Sequence, residues 1–191
     1  MPSLRSLIPA AALVAAGAGP AGAGEITSAY TKLELDKCEL VSSNPDEGGS
    51  AVWNCKGYDG RRVRVAEGDL RFFVSYGPDA ESQKAAHQTL APFNVIHHTL
   101  EWRLERRNGR QVPFATILRY FWDSGNGRKG QTLVVTKLGP DEACHVAHVV
   151  AQGNPGANRM AREAADTEAR SFDCAHSAPL RYGPDGRKTP N

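Results

Sequence analysis

Thr99-Leu100-Glu101-Trp102-Arg103-Leu104-Glu105-Arg106-Arg107-Asn108-Gly109 alternates apolar and charged residues up to a two-residue turn signal. Period 2 puts Leu100, Trp102 and Leu104 on one face of a strand and Glu101, Arg103 and Glu105 on the other. Asn-Gly suits the reversal because both central residues of a type I′ turn need positive φ. Counting back across that turn pairs Leu100 with Ile117 and Trp102 with Ala115, which carries the apolar face into a second strand over 114–122.

Working outward, residues 131–138 and 144–151 read as further strands separated by Gly-rich turns. Toward the N-terminus, residues 31–42 and 51–57 form a first hairpin about Asn44-Pro45-Asp46-Glu47-Gly48-Gly49, a dense turn cluster. Tyr58-Asp59-Gly60 leads into Arg61-Arg62-Val63-Arg64-Val65, and Glu67-Gly68-Asp69 into 70–76. One segment reads as helix: from Pro155 to Ser171, with Asn154 as N-cap, Ala157, Met160, Ala161, Ala164, Ala165 and Phe172 recur at helical spacing. Its alanine stripe requires close packing on a sheet. Residues 78–89 read as a second, short helix and 175–191 as an extended tail. The expected fold is mainly β, an antiparallel meander of about seven strands in one curved or barrel-like sheet, with one C-terminal helix packed on it.

The chain has 191 residues, 40% of them hydrophobic, with 23 Lys+Arg against 21 Asp+Glu, a formal charge of +2. So even a balance provides no field toward nucleic acid, and no nucleic-acid partner is expected. Residues 1–23 read as a secretory signal peptide: Arg5, an Ala/Val/Leu stretch, then Ala21-Gly22-Ala23 with small residues at −3 and −1. Removing these 23 from 191 residues leaves 168, the size of one domain, here 24–174 followed by the tail. No later run is long and apolar enough to span a bilayer. A periplasmic or secreted location follows, and in such an oxidising compartment Cys38, Cys55, Cys144 and Cys174 read as two disulfides. Folding about the 44–49 turn sets Cys38 opposite Cys55 and Leu40 opposite Trp53, which favours Cys38–Cys55 and leaves Cys144–Cys174.

No catalytic set, metal site or cofactor motif assembles from the sequence. Gly125-Asn126-Gly127-Arg128-Lys129-Gly130 spells G-x-G-x-x-G, but a strand follows where dinucleotide binding requires a helix, so a hairpin turn is expected. His97-His98 and His145-x-x-His148 are the closest histidine sets, yet on a strand residues three apart point to opposite faces. Ser75 lacks the first glycine of a nucleophile elbow. Glu67, Asp69, Asp141 and Glu142 sit in turns, where carboxylates are ordinary. The remaining candidates are Arg61, Arg62, Arg103, Arg106 and Arg107 on two hairpins, whose guanidinium groups suit bidentate contact with carboxylate or phosphate if they converge. The expected role is therefore a non-enzymatic envelope protein that binds a protein or an anionic polymer. Two alternatives stay open, a hydrolase whose site converges from His97, His145, His148 and Glu67, and a metal-handling protein.

At Thr31-Lys32-Leu33-Glu34-Leu35-Asp36-Lys37-Cys38 and again over Val65-Ala66-Glu67-Gly68-Asp69-Leu70-Arg71-Phe72-Phe73-Val74-Ser75-Tyr76-Gly77, the sequence resembles a group of small exported proteins of Gram-negative bacteria with no assigned function. The likeness extends from about Tyr30 to Cys174, including Cys144-His145-Val146-Ala147, and brings no active site with it. A looser similarity links Trp53-Asn54-Cys55 to the aromatic-x-Cys strand of periplasmic lysozyme inhibitors, whose inhibitory loop is not recognisable here.

Overall fold

The computed structural model describes residues 25–46 and 49–189, so the expected signal peptide and its cleavage site lie outside the described residues. Among the described residues eleven strands and one α-helix follow in chain order. They are β1 (Ile26–Lys32), β2 (Glu39–Asn44), β3 (Ser50–Lys56), β4 (Arg62–Gly68), β5 (Arg71–Tyr76), β6 (Phe93–Arg107), β7 (Arg110–Asp123), β8 (Lys129–Leu138), β9 (Ala143–Val150), α1 (Ala157–Glu168), β10 (Leu180–Tyr182) and β11 (Lys188–Thr189). The mainly β fold with a C-terminal helix holds, but the single curved sheet does not. Two sheets form, in the orders β1-β6-β7-β8-β9-β10-β11 and β2-β3-β4-β5, and neither closes into a barrel. The expected first strand is divided: β1 ends at Lys32, a short turn over Leu35–Lys37 intervenes, and β2 starts in the other sheet.

The layers follow from side-chain alternation. Leu100, Trp102, Leu104, Leu118 and Tyr120 of the larger sheet meet Cys55, Val63, Val65, Val74 and Tyr76 of the smaller one. Trp102 is fully buried at the centre and donates from Nε1 to Thr31 Oγ1 at 2.8 Å. Gly57 is required beneath it, since a Cβ there would lie 2.4 Å from the indole. On the opposite face Ala115, Ile117, Leu133, Val135, Ala147 and Val149 pack on Ala157, Ala161, Ala164 and Ala165 of α1. Burying each larger aliphatic or aromatic side chain is worth about 1.5–3 kcal/mol. The alanine stripe lets the helix axis approach the sheet closely.

The β6–β7 register differs from the expected one by a single residue. The hairpin starts as read, with Arg107 opposite Arg110, but Leu104 pairs with Pro113 and Arg103 with Ala115. Phe114 is therefore extra, and Leu100 faces Leu118 while Trp102 faces Thr116. Proline cannot donate to the ladder, so a bulge beside Pro113 is physically reasonable. Strand β9 carries a similar bulge, since Val135 pairs with Ala147 and Thr136 with His145, leaving Val146 over.

Both disulfides form as paired in the sequence reading, Cys38–Cys55 and Cys144–Cys174, and Leu40 stands opposite Trp53. The helix is shorter than expected, and Asn154 acts just before it, accepting from Gly156 N–H at 3.0 Å. Residues 78–89 form two 3₁₀ turns, Ala80–Ser82 and Lys84–His87, rather than one helix. The described part of the expected 175–191 tail is not free: β10 adds in parallel to β9, with Arg181 opposite His148, and β11 pairs with β10.

Candidate binding cleft

A cleft of about 660 Å³ lies where ends of both sheets contribute walls. The smaller sheet supplies Trp53, Glu67, Leu70 and Phe72; the larger supplies Phe93, Val95, Phe121 and Trp122, with Asp123, Lys129 and Gln131 at its rim.

Local sequence explains this arrangement. Gly68 pairs with Arg71, so the β4–β5 turn is centred on Asp69 and Leu70, one residue later than expected. Both have positive φ, +51° and +57°. Aspartate tolerates that region, whereas a leucine held there costs about 1–2 kcal/mol through Cβ–carbonyl crowding. Leu70 is nevertheless 58% exposed at the lip of the cleft, beside Phe93 at 45% and Val95 at 54%. Asn94 fixes this end of the molecule: it is buried, donates from Nδ2 to the carbonyls of Leu90 and Pro92, and accepts from Phe72 N–H at 3.0 Å. Its own N–H donates to Leu70 O at 2.9 Å, joining β5 to β6. Trp122 lies over Gly130, where a Cβ would come within 2.3 Å of the ring, and donates to Thr132 Oγ1 at 3.1 Å. The G-x-G-x-x-G segment is thus the β7–β8 hairpin turn, and its last glycine makes room for an indole.

The rim is weakly acidic. Asp123 pairs with Lys129 at 3.0 Å, and the Gly125 N–H together with Lys129 holds its carboxyl below the usual range. Glu67 has no ion-pair partner among the described residues. The lining therefore carries two carboxylates against one ammonium, around a mainly aromatic and aliphatic interior. Such a site has the means to desolvate an apolar chain and to favour a neighbouring cation.

The arginine candidates do not converge into one rim. Arg103, expected on an exposed face, is buried against α1: Nε and Nη2 grip the two carboxylate oxygens of Asp166 at 2.9 and 2.6 Å, and Nη1 bonds Ser28 Oγ. The face alternate to the sheet–sheet core is covered by α1, which is why alternation alone could not distinguish it from solvent. Arg62 is tied to Gly77 O at 2.9 Å and Glu81 at 2.8 Å, and Arg107 to Glu105. Arg61 and Arg106 have no carboxylate partner among the described residues.

Nor do the dispersed histidines and carboxylates form one centre. Glu67 lines the cleft, His97 lines a separate pocket near α1, and His145 and His148 pair with each other. Among the described residues no three His, Cys, Asp or Glu side chains are placed to hold a metal ion. Sequence reasoning missed Leu70 as a lip residue and Arg119 as a pocket residue; the available signals were a leucine next to a turn aspartate and a cation inside the apolar run Ile117-Leu118-Arg119-Tyr120. Comparison with protein-family models, curated proteins and solved structures finds no match.

Proposed function

We propose that this chain is an exported, non-enzymatic binding protein that holds an apolar segment of an envelope protein, flanked by a basic residue, in the cleft. The carrying observation is Leu70: an exposed leucine kept at positive φ, beside exposed Phe93 and Val95, at the mouth of an aromatic cleft. Strain of that kind is retained where a side chain must be presented. The unmatched Glu67 favours a cationic neighbour in the partner. Two disulfides suit an oxidising, extracellular-type compartment, and no described helix is long and apolar enough to cross a membrane. A periplasmic or secreted site of action belongs to this reading. An anionic polymer on an arginine rim has less support, with three of the five arginines committed to carboxylates of the chain itself. Among the described residues the hydrolase and metal-handling readings lack a converged set of side chains.

Tryptophan emission from Trp53 and Trp122 tests the proposal. The disulfide-bonded protein is titrated with an end-capped Lys-Leu-Phe-Leu-Lys peptide and with its Glu-Leu-Phe-Leu-Glu counterpart. The proposal expects a saturable change with the basic peptide, weaker with the acidic one, and lost in Phe93→Ser. An equal response in Phe93→Ser, or none in the native protein, overturns it.

A further inference from the structure

A second place in the fold gathers hydrogen-bond donors and positive charge without matching acceptors. On β6, Ile96 pairs with Tyr120 and Leu100 with Leu118, so His97, His98 and Thr99 stand against the single residue Arg119 of β7. This insertion of two extra residues arranges His97 and Thr99 with Arg119 around a pocket of about 210 Å³. Asn158 and Arg162 of α1 complete its wall, and Ile117 and Leu133 supply an apolar floor.

The charges do not cancel. Arg162 is matched by Glu101 at 2.6 Å, and Arg103 by Asp166 at 2.6 Å. Arg119 has no carboxylate partner among the described residues; it is oriented by two neutral amides, Gln131 Oε1 at 2.9 Å and Asn158 Oδ1 at 3.1 Å. These use two of its five N–H bonds. Nearby Lys32 donates to a hydroxyl, Thr99 Oγ1 at 3.1 Å, and has no carboxylate within ion-pair distance among the described residues.

The neutral groups point the same way. His97 Nδ1 accepts from Thr99 N–H at 3.1 Å, so the neutral ring carries its hydrogen on Nε2. The Tyr30 hydroxyl accepts from Arg162 at 3.1 Å and keeps its own hydrogen to donate, as does Thr99, which accepts from Lys32. The one carboxylate of the lining, Glu101, is already occupied by Ser28 and Arg162. What remains is a donor-rich site with unmatched positive charge and an apolar floor.

We propose that this pocket binds a small organic oxyanion, a carboxylate or phosphate group on a compact apolar body, with Arg119 facing the charge and Ile117 and Leu133 facing the carbon skeleton. The site is separate from the cleft and does not depend on the reading given for it. Phosphate and carboxylate share the chemistry the donors recognise, and the probes distinguish them.

Calorimetric titration of the disulfide-bonded protein with inorganic phosphate and with benzoate is the test. Saturable binding of either probe is expected, weakened by added salt. Arg119→Gln should lose affinity by about tenfold or more, as a charge-assisted contact becomes a neutral one. Arg119→Lys should retain part of it, because the charge stays while the planar fork is lost. Tyr30→Phe, at a position 55% exposed, removes one donor with little risk to folding and should also weaken binding. Phe93→Ser in the cleft should leave it unchanged. The absence of saturable binding of both probes at millimolar concentration overturns the proposal. So does equal affinity in the native protein, Arg119→Gln and Tyr30→Phe.

Discussion

His145 Nδ1 and His148 Nε2 lie 3.1 Å apart. Three positions apart on a regular strand, the two rings would face opposite sides of the sheet. The extra residue Val146 reverses that parity and puts both on one side, where a single N–H···N bond links two neutral rings. Burial, reinforced by Arg181, pushes His148 down to about 4, and burial followed by His148 holds His145 well below the ordinary histidine range.

Stability should therefore fall on acidification. The folded state resists taking protons that the unfolded chain accepts at an ordinary pKa near 6.5, so the contribution is complete above that value and is lost as pH drops toward about 4. At about 1.4 kcal/mol per unit, His148 alone accounts for about 3 kcal/mol over that window. Urea denaturation from pH 7.5 to 4.5 measures the slope; His148→Gln should remove part of it, since buried His145 keeps its own share, and His145→Gln with His148→Gln should remove most of it. An unchanged slope in that variant would place the acid sensitivity elsewhere.

Replacing Leu70 by Asn should stabilise the protein by about 1 kcal/mol, because asparagine tolerates positive φ and the exposed leucine gains little from burial. The same change should weaken binding of the basic apolar peptide. A lower urea midpoint would show instead that the Leu70 side chain supports the fold.

Asp166→Ala should cost about 2–3 kcal/mol, since it leaves the buried Arg103 guanidinium without its bidentate partner. Adding Arg103→Met should recover much of that loss by removing the stranded charge. A double variant as unstable as Asp166→Ala would mean that the loss is one of helix packing rather than of charge.

The two disulfides close separations of 17 and 30 residues. Chain-entropy arguments assign them about 3 and about 4 kcal/mol. Paired Cys→Ser replacement at Cys144 and Cys174 should lower the urea midpoint more than replacement at Cys38 and Cys55. The opposite order would show that the β2–β3 hairpin depends on its bridge for more than loop closure.

Legibility in the sequence tracks how local each feature is. The turn about 44–49 was close enough to its strands to set Leu40 against Trp53 and to pair all four cysteines correctly. The helix was visible because its alanines recur at one spacing, and Asn108-Gly109 located the central hairpin. The bulges at Phe114, at Val146 and across 97–99 were not visible, because they depend on how a twisted sheet fits its neighbouring layers. The single-residue bulges at Phe114 and Val146 each invert side-chain parity downstream, whereas the one across 97–99 inserts two residues and preserves it. His145 joins His148 by such an inversion, and the two extra residues across 97–99 stand against Arg119 at its pocket. Arg103 looked free because nothing near it in sequence announces Asp166, 63 residues away. The split into two sheets was hidden for the same reason, since β1 pairs with β6 rather than with the strand that follows it.

The parallel pairing of β10 on β9 bears on the order in which the molecule can be completed. Strand β9 has one side bonded to β8; on its other side β10 pairs with it at Leu180–Tyr182, which follow Cys174 in the chain, and the His145 N–H meets Gln88 Oε1 at 2.8 Å. During synthesis most of that edge stays open until residues 180–182 have been made, and a chain cut after Cys174 should keep its helix and both bridges yet offer a largely uncovered strand to its neighbours. Such a fragment should gather into oligomers through β9, so that Leu180–Tyr182 guard against self-association besides packing Leu180 and Tyr182 on the helix-side core.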